Sequence, residues 1–151
     1  MVDVPCSGLG ALRRRPEARW RKSPRDIAEL LPLQRQLLDA AISVTRPGGV
    51  IAYVTCSPHA AETQNIVAEV LESGAVSLLD SAAILREVAL HTEGANGEPV
   101  SVLAGEKDPG HTPEIKVKKG APVVNASATT AQLWPHVHGT DAMFLALLRK
   151  N

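Results

Sequence analysis

The two cysteines of this chain stand in matching positions, each where a short apolar stretch ends and a polar turn begins. Cys6 lies within residues 3–8, with the sequence DVPCSG, and Cys56 lies within residues 53–58, with the sequence YVTCSP. A sheet that sets the carboxyl ends of two neighbouring strands side by side would bring both thiols into one crevice. In open α/β sheets such a crevice binds ligands. Two thiols there indicate covalent chemistry, a disulfide or a metal site.

Strand and helix patterns alternate along the chain, which predicts an α/β fold with a largely parallel sheet. The apolar run Val50–Thr55 is typical of a strand that is buried on both faces, and residues 1–5 have the pattern of a strand end. Further strands are predicted at 76–79 and 142–148. The last strand is expected to return antiparallel to the others.

Two helices are predicted between these strands. Residues 26–31 are expected to form a short helical turn, and Pro32 suits the first position of a new helix. The second helix is expected to start after Cys56, with Ser57 as its cap and Pro58 at its first position. The expected buried faces are Leu33, Leu37, Leu38, Ala41 and Ile42 in the first helix and Ile66, Val67, Val70 and Leu71 in the second.

Residues 91–131 are rich in Gly, Pro, Ser, Thr and Ala and lack sustained periodicity. They predict an irregular insertion, with a short hairpin at 115–118. The chain has 151 residues and no net formal charge, which argues against a uniformly basic surface. It shows neither a signal peptide pattern nor the run of about 20 apolar residues that a membrane span needs. These features predict a cytoplasmic protein, in which a disulfide is disfavoured.

The cysteines themselves have two interpretations. Free cysteine is usually a small buried hydrophobe. A cysteine just before a helix start, as predicted for Cys56, would instead have its thiolate favoured by the helix dipole. A shift of about 1.5 pKa units, worth about 2 kcal/mol, would leave such a thiol roughly half ionised at neutral pH. No metal is predicted, because His136 and His138 lack the close cysteine pair of a zinc site.

A basic segment follows the first cysteine, with Trp20 among its cations. The simplest interpretation is that these cations form a solvated surface. The density of arginine and the neighbouring aromatic ring instead favour a surface that binds a polyanion and leads it to the site. The cations are Arg13, Arg14, Arg15, Arg19, Arg21, Lys22 and Arg25. Residues 134–141, with the sequence WPHVHGTD, form either a plain loop or another wall of the crevice.

Together these motifs resemble the Sun-type (Fmu-like) RNA cytosine methyltransferases. Both cysteine motifs fit that family, and four further stretches fit it as well. They are RRRPE at 13–17, LQRQLL at 33–38, RPGG at 46–49 and HGTD at 138–141. The resemblance covers the chain except for residues 91–131 and is strongest to bacterial small-subunit (16S) rRNA enzymes.

The resemblance implies the C-terminal half of a class I (Rossmann-like) S-adenosylmethionine-dependent methyltransferase sheet, mostly parallel with an antiparallel last strand. Cys56 would be the nucleophile that adds to carbon 6 of cytosine, and Cys6 would assist product release. Asp3 would lie beside the base and the cofactor, and Pro5 would shape that turn of the cofactor site. RNA would be bound by Arg13, Arg14, Arg15, Arg19, Lys22 and His138.

In that family the catalytic domain begins upstream of the Asp-x-Pro-Cys strand. Residues 1–151 would therefore lack most of the cofactor site and the N-terminal RNA-binding domain, and would be weakly active or inactive without that missing half. The strand at residues 1–5 would then be an unpaired sheet edge. Two alternatives stay open: a non-catalytic RNA-binding or assembly module that retains the fold, and a tRNA cytosine methyltransferase.

Overall fold

The computed structural model describes residues 1–90 and 129–151. Its strands are β1 (Val2–Asp3), β2 (Val50–Thr55), β3 (Val76–Leu78), β4 (Ala131–Gln132) and β5 (Phe144–Lys150). Its helices are α1 (Ala18–Arg21), α2 (Pro24–Val44), α3 (Gln64–Glu72), α4 (Ser81–Leu90) and α5 (Pro135–His138). Two 3₁₀ turns, Leu9–Ala11 and Ala60–Glu62, complete the described elements.

The strands form one sheet in the order β1-β2-β5-β3, with β4 also paired to β5. β1 runs parallel to β2, with Val2 opposite Tyr53. β5 is antiparallel to β2, β3 and β4, so these three strands and β1 share one direction and β5 opposes them. The predicted α/β fold with an antiparallel last strand is confirmed. β1 has a partner on one side only among the described strands, as expected of a sheet edge.

One face of the sheet carries the core. Ile51, Tyr53 and Thr55 of β2 are buried, whereas Ala52 and Val54 are only half-buried. The prediction that β2 is buried on both faces is therefore wrong for the part of the chain that the structure describes. The packed face contacts α2 and α3 through one apolar cluster, which includes Leu38, Ile42, Ile66, Val67, Val70, Leu71, Phe144, Ala146 and Leu148.

The predicted break at Pro32 is also wrong, because α2 runs through Pro32 as one helix. It begins earlier, at Pro24, where the Asp26 carboxylate accepts hydrogen bonds from the Ser23 amide and hydroxyl. Capping and packing elsewhere in this 21-residue helix offset the backbone hydrogen bond that an internal proline removes.

The buried stripe of α2 consequently differs from the predicted one. Leu33 and Leu37 are 42% and 37% exposed. Leu38 and Ile42 are buried as predicted, and Ala41 packs against the core. The buried stripe also includes Gln34, a polar residue, and Ile27.

The segment after β2 does not begin a helix at Ser57. His59 is extended, a 3₁₀ turn follows, and α3 starts at Gln64 with Thr63 as its cap residue. Ser57 does not cap α3, because α3 begins at Gln64; its hydroxyl instead donates to the Glu62 carboxylate at 2.6 Å and accepts from the His59 amide at 3.1 Å. Cys56 therefore lies eight residues before α3 and does not benefit from a helix terminus.

The remaining differences concern element ends and the helices and strand that were not predicted, namely α1, α4, α5 and β4. The third strand ends at Leu78, one residue before the predicted end, and the last strand is Phe144–Lys150 rather than 142–148. Residues 129–131 of the predicted insertion are described and include the start of β4, whereas the predicted hairpin at 115–118 lies outside the described residues. No helix among the described residues is long and apolar enough to cross a membrane.

Candidate active site

The two thiols lie together at the carboxyl ends of β1 and β2. The Sγ atoms of Cys6 and Cys56 are 3.3 Å apart and share a hydrogen bond. Both cysteines are free and half-buried, so neither is sealed in the core. A molecule in the crevice can therefore contact both sulfur atoms.

The environment of Cys56 favours its neutral form. Burial raises the pKa of Cys56 to about 11, and the hydrogen bond and negative charge of Cys6 and the charge of Asp3 act in the same direction. The prediction of a lowered pKa is wrong, because the helix terminus that was to lower it is absent at this position. The neutral thiol of Cys56 is therefore the favoured form in this crevice at neutral pH.

Both cysteine-bearing turns meet at one buried carboxylate, that of Glu62. Its Oε1 accepts hydrogen bonds from the Ser7 amide at 2.8 Å and from Gln34 Nε2 at 3.0 Å. Its Oε2 accepts from the hydroxyls of Ser7 and Ser57, each at 2.6 Å. The sequence motifs did not single out Glu62 or Gln34. The available signal was Gln34 itself, a polar residue four positions before Leu38 on the apolar stripe of α2.

Gly10 joins the basic segment to the Cys56 turn. Its amide donates to the Cys56 carbonyl and its carbonyl accepts from the Ala142 amide, both at 2.9 Å. A Cβ atom at Gly10 would lie 2.0 Å from the Ala142 carbonyl oxygen and 2.6 Å from that of Cys56. The backbone is therefore packed here so closely that only glycine fits.

Asp141 fixes the start of the basic segment at the site. Its carboxylate accepts hydrogen bonds from Arg14, with Arg13 at 3.9 Å. The hydrogen bonds from Arg14 lower the pKa of Asp141. The same hydrogen bonds and the charge of Asp141 raise the pKa of Arg14. Residues 134–141 thus contact the basic segment, which favours the crevice-wall interpretation over the plain loop.

The other predicted site residues lie around the same end of the sheet. Asp3 and Pro5 are exposed, and the Pro5 carbonyl accepts a hydrogen bond from Gln34. His138 forms a hydrogen bond within its own turn, because its Nδ1 accepts from the Trp134 amide at 2.8 Å. All seven cations of the basic segment are exposed, as is Trp20, and Arg19 stacks over the Trp20 ring at 5.4 Å.

Metal chemistry has no visible basis in the part of the chain that the structure describes. No group of three or more His, Cys, Asp or Glu side chains is placed there to bind a metal ion. What the geometry offers is a pair of thiols, one exposed carboxylate and a cationic rim. Such a set can add to an electron-poor ring and later release it.

Comparison with known proteins gives matches along the whole chain. The family described as 16S rRNA methyltransferase RsmB/F matches residues 1–149. A Mycobacterium tuberculosis protein named as a methyltransferase is 48% identical over 150 residues, which is 99% of this chain and 26% of that protein. A Synechocystis protein named as ribosomal RNA small subunit methyltransferase B is 50% identical over 64 residues, 42% of this chain and 14% of its own length.

Solved structures support the fold. A methyltransferase homologue from Pyrococcus horikoshii superposes with a TM-score of 0.61 at 24% identity, over 99% of this chain and 38% of its own length. The structure of NSun6 from Pyrococcus horikoshii with SFG gives a TM-score of 0.59 at 23% identity, over 99% of this chain and 29% of its own. This chain thus spans about a quarter of the curated relative that it matches from end to end.

Proposed function

Because the chain belongs to the 16S rRNA methyltransferase RsmB/F family, we propose that it carries the catalytic cysteines of an RNA cytosine-C5 methyltransferase. The substrate is rRNA of the small subunit, and the methyl donor is S-adenosylmethionine. The observation that carries the proposal is the 3.3 Å approach of the Cys6 and Cys56 sulfur atoms at the ends of neighbouring strands. The proposal places the reaction in the cytoplasm.

The two thiols have different roles in this proposal. The Cys56 sulfur forms a bond to carbon 6 of the cytosine, which makes carbon 5 electron-rich enough to accept a methyl group. In the later step Cys6, as a base or by way of a base, removes the carbon 5 proton. The electron pair of that C–H bond re-forms the ring double bond, and Cys56 departs with the electron pair of its bond to carbon 6. A soft sulfur nucleophile suits this cycle because its bond to carbon must form and break again.

The raised pKa of Cys56 adds a requirement. Because the thiol is almost entirely neutral at rest, it must lose its proton as the base binds. In this proposal the carboxylate of Asp3, which is exposed at the end of β1, hydrogen-bonds the cytosine ring beside Cys56. The target base must leave its helical stack to reach these groups.

S-adenosylmethionine supplies the electrophilic methyl group when it is bound. Asp3 and Pro5, exposed at the end of β1, would form one wall of its site. The exposed carboxylate of Asp3 can accept hydrogen bonds from such a ligand, and the solved structure of NSun6 with SFG supports a cofactor of this type. The rest of the cofactor site would come from a preceding segment that pairs with the open edge of β1, so residues 1–151 alone would be weakly active or inactive.

The test is a map of 5-methylcytosine in rRNA and tRNA from cells with and without the complete gene. We expect one cytosine of small-subunit rRNA to lose its methyl group when the gene is deleted. Loss at a tRNA position instead would identify a tRNA methyltransferase. Unchanged methylation in both RNAs would support the non-catalytic assembly module and contradict the proposed activity.

We further propose that the basic segment binds the RNA backbone through Arg13, Arg14, Arg15, Arg19 and Lys22, with His138 at the rim. Arg15→Ala, Arg19→Ala and Lys22→Ala should each flatten the dependence of log K on log salt by about 0.7 per lost phosphate contact on single-stranded RNA. Arg14→Ala should weaken RNA binding more than these variants do, because it also removes the Arg14 hydrogen bonds to the Asp141 carboxylate beside the site.

The measurement is RNA affinity as a function of salt concentration. Arg149→Ala is the matched control, since Arg149 is exposed on β5 opposite Val50, at the end of β2 remote from the thiols. Equal slopes for Arg149→Ala and Arg15→Ala would show that the basic segment is only a solvated surface.

A further inference from the structure

Glu62 connects the segments that follow the two cysteines. Ser7 and Ser57 come directly after Cys6 and Cys56, and both serine hydroxyls lie 2.6 Å from the same oxygen of Glu62. The other carboxylate oxygen binds the Ser7 amide and Gln34. Gln34 in turn donates to the Pro5 carbonyl at 2.9 Å, on the other side of Cys6. One carboxylate thus contacts both turns and the helix behind them.

Strand pairing by itself does not align the two thiols. In the β1–β2 ladder Val2 is opposite Tyr53 and Asp3 is opposite Val54, an offset of 51 residues. The cysteines are separated by 50 residues, so continuing this register would place Cys6 opposite Ser57. The last ladder bond runs from the Val4 amide to the Val54 carbonyl, after which Pro5 has no amide to donate. Something beyond the ladder must therefore set the 3.3 Å approach of the sulfur atoms.

The hydrogen bonds favour the ionised form of Glu62. The hydroxyls of Ser7 and Ser57 both lie 2.6 Å from Oε2 and 3.3 Å from each other, and an ionised carboxylate accepts from both at once. Burial opposes ionisation, but the hydrogen bonds from Ser57, Ser7 and Gln34 together lower the pKa of Glu62 below its usual 4.5. No ion pair within residues 1–90 and 129–151 includes Glu62.

A buried carboxylate without a cation is a poor choice for stability alone, because its desolvation is costly. Three of its four donors belong instead to Ser7 and Ser57, which follow the two cysteines, and the fourth, Gln34 on α2, also donates to the Pro5 carbonyl. We propose that Glu62 is a positioning residue that holds the Cys6 and Cys56 turns together so that both thiols reach one substrate ring. The inference deepens the function proposed above and rests on it, since the thiols need to meet only if they act on the same base.

The experiment measures how closely the thiols are held, without RNA or cofactor. The complete protein is equilibrated in glutathione redox buffers, and the Cys6–Cys56 disulfide is quantified by the loss of two hydrogen masses from the peptides that contain these two cysteines. In that exchange two thiols lose two hydrogen atoms while one oxidised glutathione becomes two reduced molecules. The equilibrium constant gives the effective concentration of one thiol at the other.

Glu62→Gln keeps the side-chain shape but replaces one accepting oxygen with a donor. We expect it to lower the effective concentration at least about tenfold, the factor that corresponds to losing one hydrogen bond to a charged group. Glu72→Gln is the matched control, an exposed glutamate on α3, and should leave the value unchanged. Far-ultraviolet circular dichroism reports whether each variant is folded.

A purely structural role would lower the melting temperature of Glu62→Gln and leave the effective concentration of the folded chain unchanged, which would overturn the inference. If Glu62→Gln does not fold, Ser7→Ala and Ser57→Ala decide, since each removes one hydroxyl from the carboxylate. A lower effective concentration in both variants supports the positioning role of Glu62. Wild-type effective concentrations in both variants reject it. Because no methylation is measured, this failure is distinct from failure of the proposed function.

Discussion

Cys56→Ala should abolish both methyl transfer and the covalent RNA adduct of the complete enzyme, whereas Cys6→Ala should make the adduct accumulate. The reason is the division of roles between the two sulfur atoms: Cys56 forms the bond to the base, and Cys6 helps to break it. The measurement is a denaturing gel of enzyme and RNA with S-adenosylmethionine, on which the adduct migrates as a slow band.

The double variant with alanine at both positions is the matched control. It should show no adduct, because the trap created by Cys6→Ala needs the Cys56 sulfur. Equal loss of the adduct in both single variants would contradict the assigned roles. Adduct accumulation in Cys56→Ala rather than Cys6→Ala would show that the two roles are reversed.

Gly10→Ala should destabilise the fold by about 3 kcal/mol or more, the upper part of the range for overpacking. The added methyl carbon would lie 2.0 Å from the Ala142 carbonyl oxygen and 2.6 Å from the Cys56 carbonyl oxygen, and both are backbone atoms that cannot turn aside. Separating them breaks the hydrogen bond from the Gly10 amide to the Cys56 carbonyl and the one that the Gly10 carbonyl accepts from the Ala142 amide. Urea denaturation followed by circular dichroism measures the change.

Gly8→Ala is the comparison that isolates the steric cause. Gly8 has a φ of 70°, and no atom lies within 4 Å of the position that an alanine methyl group would take there. Alanine at this position therefore meets only the backbone penalty of about 1 kcal/mol. Gly10→Ala should lose clearly more stability than Gly8→Ala. Equal losses would show that the close approach at Gly10 is relieved by a small backbone shift.

The pair of strand-end cysteines was predictable because it depends on local pattern. Apolar runs that end at Cys6 and Cys56, followed by turn residues, indicate two strand ends, and parallel strands bring such ends to one edge. The basic segment was predictable for the same reason, since seven cations within residues 13–25 are visible without any tertiary contact.

Predictions failed where a distant group changed a local preference. Ser57 followed by proline has the pattern of a helix start, but its hydroxyl lies against Glu62, and α3 begins at Gln64. Pro32 has the pattern of a first helical residue, but capping at Ser23 starts α2 earlier. The lowered pKa expected of Cys56 depended on a helix that starts at Ser57. Because no helix starts there, that expectation was wrong as well.

By itself the sequence determined which residues can do chemistry here, because side-chain identity, strand ends and charge density are local properties. Only the tertiary structure decided how they are held. The separation of the two sulfur atoms, the neutral state of Cys56 and the contact of Arg14 with Asp141 arise from residues that are 50 or more positions apart. A buried carboxylate such as Glu62 acquires its role from the donors that folding brings to it, and no spacing along the chain specifies those donors.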